Sequence, residues 1–173
     1  MSEEKVKKQK YSGLDREYPR AHLYHSLLPV VFIIVWIIDT IFLSLTVWLN
    51  DFVPLALRIV LFVLFFGLAL LFVQLSHNVL FKDHEPSDTL LIKGILKRTR
   101  NPMYFGILLV YLSFILLSIS VICIGLFVGI IILYDKMVNF EEDILEEMFG
   151  QEYIEYKKKV PKWIPKIGKV NEF

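Results

Sequence analysis

Residues 101–134, NPMYFGILLVYLSFILLSISVICIGLFVGIIILY, contain no Asp, Glu, Lys or Arg. An apolar run beyond about 18 residues reads as membrane-spanning. As one helix these 34 residues would measure about 50 Å, against a hydrocarbon core of about 30 Å. The run is therefore read as two short spans, 102–118 and 121–138, hinged near Ser118 and Ser120 and forming a hairpin with almost no loop.

Working outward, residues 53–76 and 27–49 are two further apolar runs of span length, with Asn50 and Asp51 as a tight turn between them. The chain then divides at 1–26, a polar N-terminal segment, 27–76, two spans, and 77–173, a polar loop, the hairpin and a polar helical end. The expected fold is all-α: a polytopic membrane protein of about four transmembrane helices with a cytosolic C-terminal helical segment. The polar N-terminal block is too long for a signal peptide, and no small-residue cleavage site follows it. Of the 19 basic residues, six fall before residue 27, five in 77–101 and seven after 134. The remaining one is Arg58. Four spans put all three blocks on one side, which the positive-inside rule makes the cytosol, with both termini there.

Composition excludes several classes. At 173 residues the chain is too short for a large transporter, and a net charge of +1 lacks the basic surplus of a nucleic-acid binder. One cysteine, Cys123 inside the apolar run, excludes a disulfide framework and reads as a buried inert thiol. The closing residues Val170–Phe173 carry no prenylatable Cys. His77 and His84, seven apart with no Cys nearby, lack metal-site spacing, so no metal is expected. Gly125-x-x-x-Gly129 suits close helix packing, read here as packing within the hairpin. Asp39 in mid-span calls for a structural partner. Arg58 lies near the end of its span, where it can snorkel. A direct Asp39–Arg58 contact would bridge a depth difference of about 7 Å.

Two stretches concentrate polar chemistry. Asn101-Pro102 is a helix start: Asn caps and Pro occupies the first turn. Arg100 then lies at the membrane surface beside anion-favouring N–H groups. Tyr104 and Gly106 follow within the first turn or so. This also suits a plain interfacial cap with a snorkelling Arg. In the second stretch, Glu141 and Glu142 directly follow the fourth span. As neighbours they cannot share one helix face, so at least one points toward protein. Ile144, Leu145, Met148 and Phe149 form an apolar stripe at helical spacing. Gly150 stops that helix, and residues 151–159 form a second one, ended by Pro161. An interfacial amphipathic helix with a solvated charged face has the same pattern.

The run Leu90–Gly94, Arg100-Asn-Pro-Met-Tyr104-Phe-Gly106, the uncharged hairpin, Glu141-Glu142, and Phe149–Tyr156 with Val160–Pro165 together resemble the isoprenylcysteine carboxyl methyltransferase family, allied to the membrane phospholipid N-methyltransferases. The resemblance covers about residues 77–167. It implies an S-adenosylmethionine-dependent integral-membrane methyltransferase, with 77–173 as its core. Carried over, Thr89, Leu90, Leu91 and Gly94 would line the cofactor largely through backbone. Asn101, Pro102 and Tyr104 would hold its other side, and Glu141 would meet cationic groups or ribose. Arg100 would sit at the reaction centre, and Glu142 is the candidate base for an amine acceptor. Asn101 stands where the family often has His, Leu96 where it often has Tyr, and Met137 where an Arg suited to a substrate carboxylate is common. Lys136, beside Met137, is the candidate substrate contact. The acceptor would be lipophilic or prenylated, or a membrane lipid. Its reacting group, whether carboxylate, amine or thiol, stays open, as does the oligomeric state. The competing classes are a small membrane scaffold or transporter subunit and a sterol-reductase-like nicotinamide enzyme. The first has no need of Arg100, Glu141 and the following helix in this order, and the second belongs to far longer chains.

The charge distribution carries a direct test of topology. A Cys placed at Lys93 or Lys166 is expected to resist an impermeant thiol reagent applied to intact cells. Labelling of either from outside would put the 77–101 or 139–173 segment on the wrong face.

Overall fold

The structure, a computed structural model, describes residues 17–82 and 89–168. Residues 1–16 of the N-terminal segment, His84, and residues 169–173 lie outside the described residues. The described residues form five α-helices: α1, Ala21–Ile37; α2, Leu55–His77; α3, Pro102–Ser118; α4, Val121–Phe149; and α5, Gln151–Lys159. No strand occurs among them. α1 with its π-helical extension Ile38–Leu43, α2 and α4 are each long and apolar enough to cross a membrane. α3 has 17 residues, about 26 Å, at the short end of spanning length. Two compact units are present. The first comprises Arg20–Leu71 and Gly106–Asp135; the second comprises the described parts of Met1–Pro19, Phe72–Phe105 and Lys136–Phe173.

In the first unit the hinge of the uncharged run is the element that needs most support. α3 stops at Ser118 and α4 starts at Val121, with Ile119 between them at φ +38°, a strained value for a β-branched residue. A helix end leaves main-chain groups without intrahelical partners, and a hydrocarbon medium offers none. Residues from the first two spans supply them. Trp36 Nε1 donates to Phe114 O at 3.1 Å and to Ser118 Oγ at 2.7 Å. Arg58 Nη1 donates to Leu117 O at 2.9 Å and Nε to Val53 O at 3.1 Å. On the α4 side, Val121 N–H donates to Thr46 O, Ile122 N–H to Thr46 Oγ1 and Cys123 N–H to Ser120 Oγ, each at 3.2 Å. Both hydroxyls in turn donate to Asp39 Oδ2 at 2.6 Å, and Thr46 N–H to Oδ1 at 3.1 Å. Negative charge is thus relayed to the α4 N-terminus and positive charge to the α3 C-terminus, the signs that the helix dipoles favour.

Several expectations are corrected here. Asp39 and Arg58 do not pair; each serves a different helix end. Span one does not run helically to residue 49. It begins earlier, at Ala21, and turns off at Ser44 (φ +50°), because Thr46 leaves the helix to meet Asp39 and α4. Asn50 and Asp51 lie in a 3-10 turn, Trp48–Phe52, not a two-residue turn. Gly125 and Gly129 are not packed within the hairpin, since a Cβ at either would meet nothing within 4 Å.

Aromatic rings fill the same unit: Phe114 lies edge-on to Trp36 and Phe62, and Phe32 to Tyr111. The outer surfaces stay apolar, with Val63 62% and Leu64 61% exposed, as lipid-facing helices require. Cys123 is fully buried.

In the second unit, α4 continues unbroken past its apolar stretch to Phe149, so its last turns carry Glu141 and Glu142. Gly150, at φ +54°, breaks the helix where the sequence indicates. The stripe Ile144, Met148 and Phe149 closes against Tyr153, Tyr156 and Val160, with Leu90, Ile92 and Leu145 packed on that cluster.

The Asp39 network has a measurable weight. Asp39→Leu removes the acceptor of two hydroxyls and one N–H, at about 1–3 kcal/mol for each donor left buried and unpaired. The melting temperature in detergent is expected to fall well below that of the lipid-facing control Val63→Leu. Equal melting temperatures would contradict the relay.

Candidate active site

The Arg100–Glu142 pair organises the second unit. Arg100 precedes the Asn101-Pro102 start of α3, and Glu142 lies on the last turns of α4. Their side chains are 10% and 5% exposed. Arg100 Nε donates to Glu142 Oε1 at 2.9 Å and Nη2 to Oε2 at 3.1 Å, the two-pronged geometry that favours Arg over Lys. Nη1 donates to Lys157 O at 3.0 Å and Val160 O at 2.6 Å. Asn101 Nδ2 adds a bond to Glu142 Oε1 at 2.9 Å and faces Lys162 O at 3.3 Å. Four of the five guanidinium N–H groups are engaged, and the carboxylate accepts three donors.

Glu141 points elsewhere. Its Oε1 accepts the Tyr104 hydroxyl at 2.6 Å, and the Tyr18 main chain bonds the same carboxylate. Glu141 is half-buried and Tyr104 buried. Burial pushes the Glu141 carboxyl up to about 7, against the opposing pull of the Tyr104 hydroxyl. The adjacent glutamates therefore face different partners, both contributed from the start of α3.

Residues 90–93 have no regular secondary structure, Lys93 is extended, and Gly94 opens a short 3-10 turn, Gly94–Lys97. Leu90 and Ile92 pack inward on the α4–α5 cluster. No described residue bonds the main chain of Leu90, Leu91 or Ile92. Gly94 is required twice: its φ is +51°, and a Cβ there would lie 2.9 Å from Val79 Cγ2.

Of the candidates from sequence, Arg100, Asn101, Tyr104, Glu141 and Glu142 are thus joined by hydrogen bonds. Pro102 is buried at the α3 start, Leu91 is half-buried, and Thr89 is exposed. Lys136 is exposed and takes no part in those bonds, while Met137 beside it is fully buried. Glu146 pairs with Lys157 at 2.9 Å on the partly exposed side of α4.

Two side chains, Thr99 and Tyr156, had no role assigned from sequence, and a main-chain bond of Arg100 acts with them. Thr99, fully buried, donates to Trp163 O at 2.8 Å with Lys162 O at 3.2 Å. Tyr156 donates to Leu96 O at 2.7 Å. Arg100 N–H donates to Pro161 O at 3.0 Å. Burial pushes the Tyr153 and Tyr156 phenols up, so both remain neutral. The available signal was the basic-polar string Arg98-Thr-Arg-Asn101, dense in donors.

Comparison with known proteins follows the same residues. The model of the phospholipid methyltransferase family matches residues 59–152, which include the Arg100–Tyr104 segment, the hairpin and both glutamates. An uncharacterized protein of Haemophilus influenzae is 36% identical over 63 residues, 36% of this chain and the whole of that protein. No solved structure matches. With more than half its length matched, and with three helices apolar enough to cross a membrane, the chain belongs to the phospholipid methyltransferase family of membrane methyltransferases.

Proposed function

We propose that the chain transfers a methyl group from S-adenosylmethionine to a lipophilic acceptor at the cytosolic membrane face. The observation that carries this is the Tyr104–Glu141 pair, with Glu141 on the helix whose later turns pack against Leu90 and Ile92 of the Leu90–Gly94 segment. The donor set suits the cofactor: a half-buried carboxylate for its ammonium or ribose hydroxyls, and main-chain N–H and C=O groups for its adenine and carboxylate. Thr89, Leu90, Leu91 and Gly94 would line it mainly through backbone; Asn101, Pro102, Tyr104 and Glu141 would hold its other side. The cofactor supplies an electrophilic methyl on a sulfonium.

What the protein adds is alignment. Methyl transfer is an in-line displacement, for which fixed geometry supplies much of the acceleration. Arg100 and Glu142 are suited to providing it, because their mutual engagement fixes Glu141 one residue away and the chain after α5. The Glu142 oxygens are already engaged by Arg100 and Asn101, so we assign Glu142 to positioning rather than to contact with the acceptor. Glu141, held by Tyr104, is assigned to the cofactor, so a proton leaving an amine acceptor is not routed through either glutamate. Lys136 is the candidate contact for an anionic group on the acceptor. An amine-bearing phospholipid is favoured by the family's description; a prenylcysteine carboxylate or a small thiol are the other acceptors to assay with radiolabelled donor.

Two outcomes follow. S-adenosylmethionine or its demethylated product, with no metal added, is expected to raise the melting temperature; a concentration of 100 times Kd stabilises by about 2.7 kcal/mol. No shift at millimolar ligand would reject the cofactor assignment. Glu141→Gln is expected to weaken that binding by roughly 10- to 100-fold, the worth of about 1.5–3 kcal/mol in a charge-assisted hydrogen bond. Glu146→Gln, which only removes a partly exposed ion pair, is expected to change it little. Equal small effects would leave the Glu141 stretch without a binding role.

A further inference from the structure

The segment Val160–Gly168, beyond the residues that match the family, is held in place at every second or third residue. Pro161 O accepts Arg100 N–H, Trp163 O accepts Thr99, and Lys166 exchanges two bonds with Arg98: its N–H to Arg98 O at 3.0 Å and its O from Nη1 at 3.1 Å. A fixed strap usually turns apolar side chains inward. Here Ile164 is 74% exposed and Ile167 101%. Lysines 157, 158, 159, 162 and 166 lie within ten residues of both in sequence, with no acidic residue between Glu155 and Gly168.

The strap's level is fixed by its contacts. Its main chain is bonded to Arg98–Arg100, immediately before the uncharged run. Lys162 Nζ donates to Asn139 Oδ1 at 2.8 Å, five residues beyond that run's other end. Both anchors mark the place where hydrocarbon-compatible sequence gives way to charge. We infer that Val160–Gly168 is an interfacial anchor, with Ile164 and Ile167 entering the headgroup–acyl boundary and Lys158, Lys159 and Lys166 resting on anionic phospholipid. Isolated apolar tips among long cationic side chains match that boundary, where ammonium groups reach phosphate while their stems cover apolar surface. An acidic protein partner would favour the lysines but leave Ile167 without a pocket partner.

The test uses full-length protein carrying Cys123→Ala and Ile167→Cys, labelled with an environment-sensitive fluorophore. It is reconstituted in phosphatidylcholine nanodiscs with and without phosphatidylglycerol. Expected are blue-shifted emission and quenching by headgroup-proximal spin-labelled lipid in the anionic discs. Both should weaken without phosphatidylglycerol and at high salt, where screening is within a few ångström. Lys158→Glu with Lys166→Glu should reduce the anchored fraction by at least the roughly fivefold expected for each lysine lost at an anionic surface. Water-like emission quenched by iodide in both disc types would overturn the proposal. So would an equal blue shift in both lipids, or a shift in lipid-free detergent that grows with protein concentration, which would mean a second copy. None of these readouts depends on methyl transfer, so the anchor can fail while the enzyme assignment stands, and the reverse.

Discussion

A main-chain N–H or C=O inside hydrocarbon has no water to fall back on, and the rest of the membrane-embedded structure follows from that constraint. A charge-free run too long for one helix must break, and a break exposes two helix ends whose main-chain groups need partners. The chain answers with polar residues that look misplaced when each span is considered alone: Trp36, Asp39 and Thr46 near the first, Arg58 on the second. Each is explained by a carbonyl or amide at the break. The carboxyl–hydroxyl relay also keeps Asp39 away from lipid, at 3% exposure.

The second unit solves a related problem with a different device. Glu142 is buried and Arg100 nearly so, and burying a charge is unfavourable unless its hydrogen-bonding capacity is filled. Both are nearly saturated, Arg100 by a carboxylate and two carbonyls, Glu142 by a guanidinium and an amide. That saturation ties together the start of α3, the end of α4 and the chain after α5. It also separates the partners of two glutamates that are chemically identical: Glu142 meets Arg100 and Asn101, and Glu141 meets Tyr104.

Legibility in the sequence tracked the distance between partners. α3 was readable to the residue, since Asn101-Pro102 marks its start and the serines its end. The stripe Ile144–Phe149 and the Gly150 stop were readable because helical periodicity and a left-handed φ are local properties. The divergence of Glu141 and Glu142 followed from the angle between neighbours on a helix. The end of span one was not readable: apolar residues continue, but Thr46 leaves the helix for a partner 74 residues away. The Arg100–Glu142 bond, 42 residues apart, and the strap's ties to Arg98 and Thr99 were equally invisible. Composition marks these residues as polar without saying which of several donors or acceptors they meet.

The separation between Asp39 and Ser120, 81 residues, has a consequence for biosynthesis. Chains emerge from the ribosome in order, at about 5–20 residues per second. The first two spans therefore enter the bilayer several seconds before the helix ends they serve have been made. During that interval an aspartate and an arginine lie in or near the apolar layer with only local partners. The nascent hairpin is then an unfinished object, held by water, by neighbouring protein or by the insertion machinery until residues 117–123 arrive. A chain released after its second span would keep the Thr46 bonds to Asp39 and the Val53 bond to Arg58 but none of the bonds to residues 117–123.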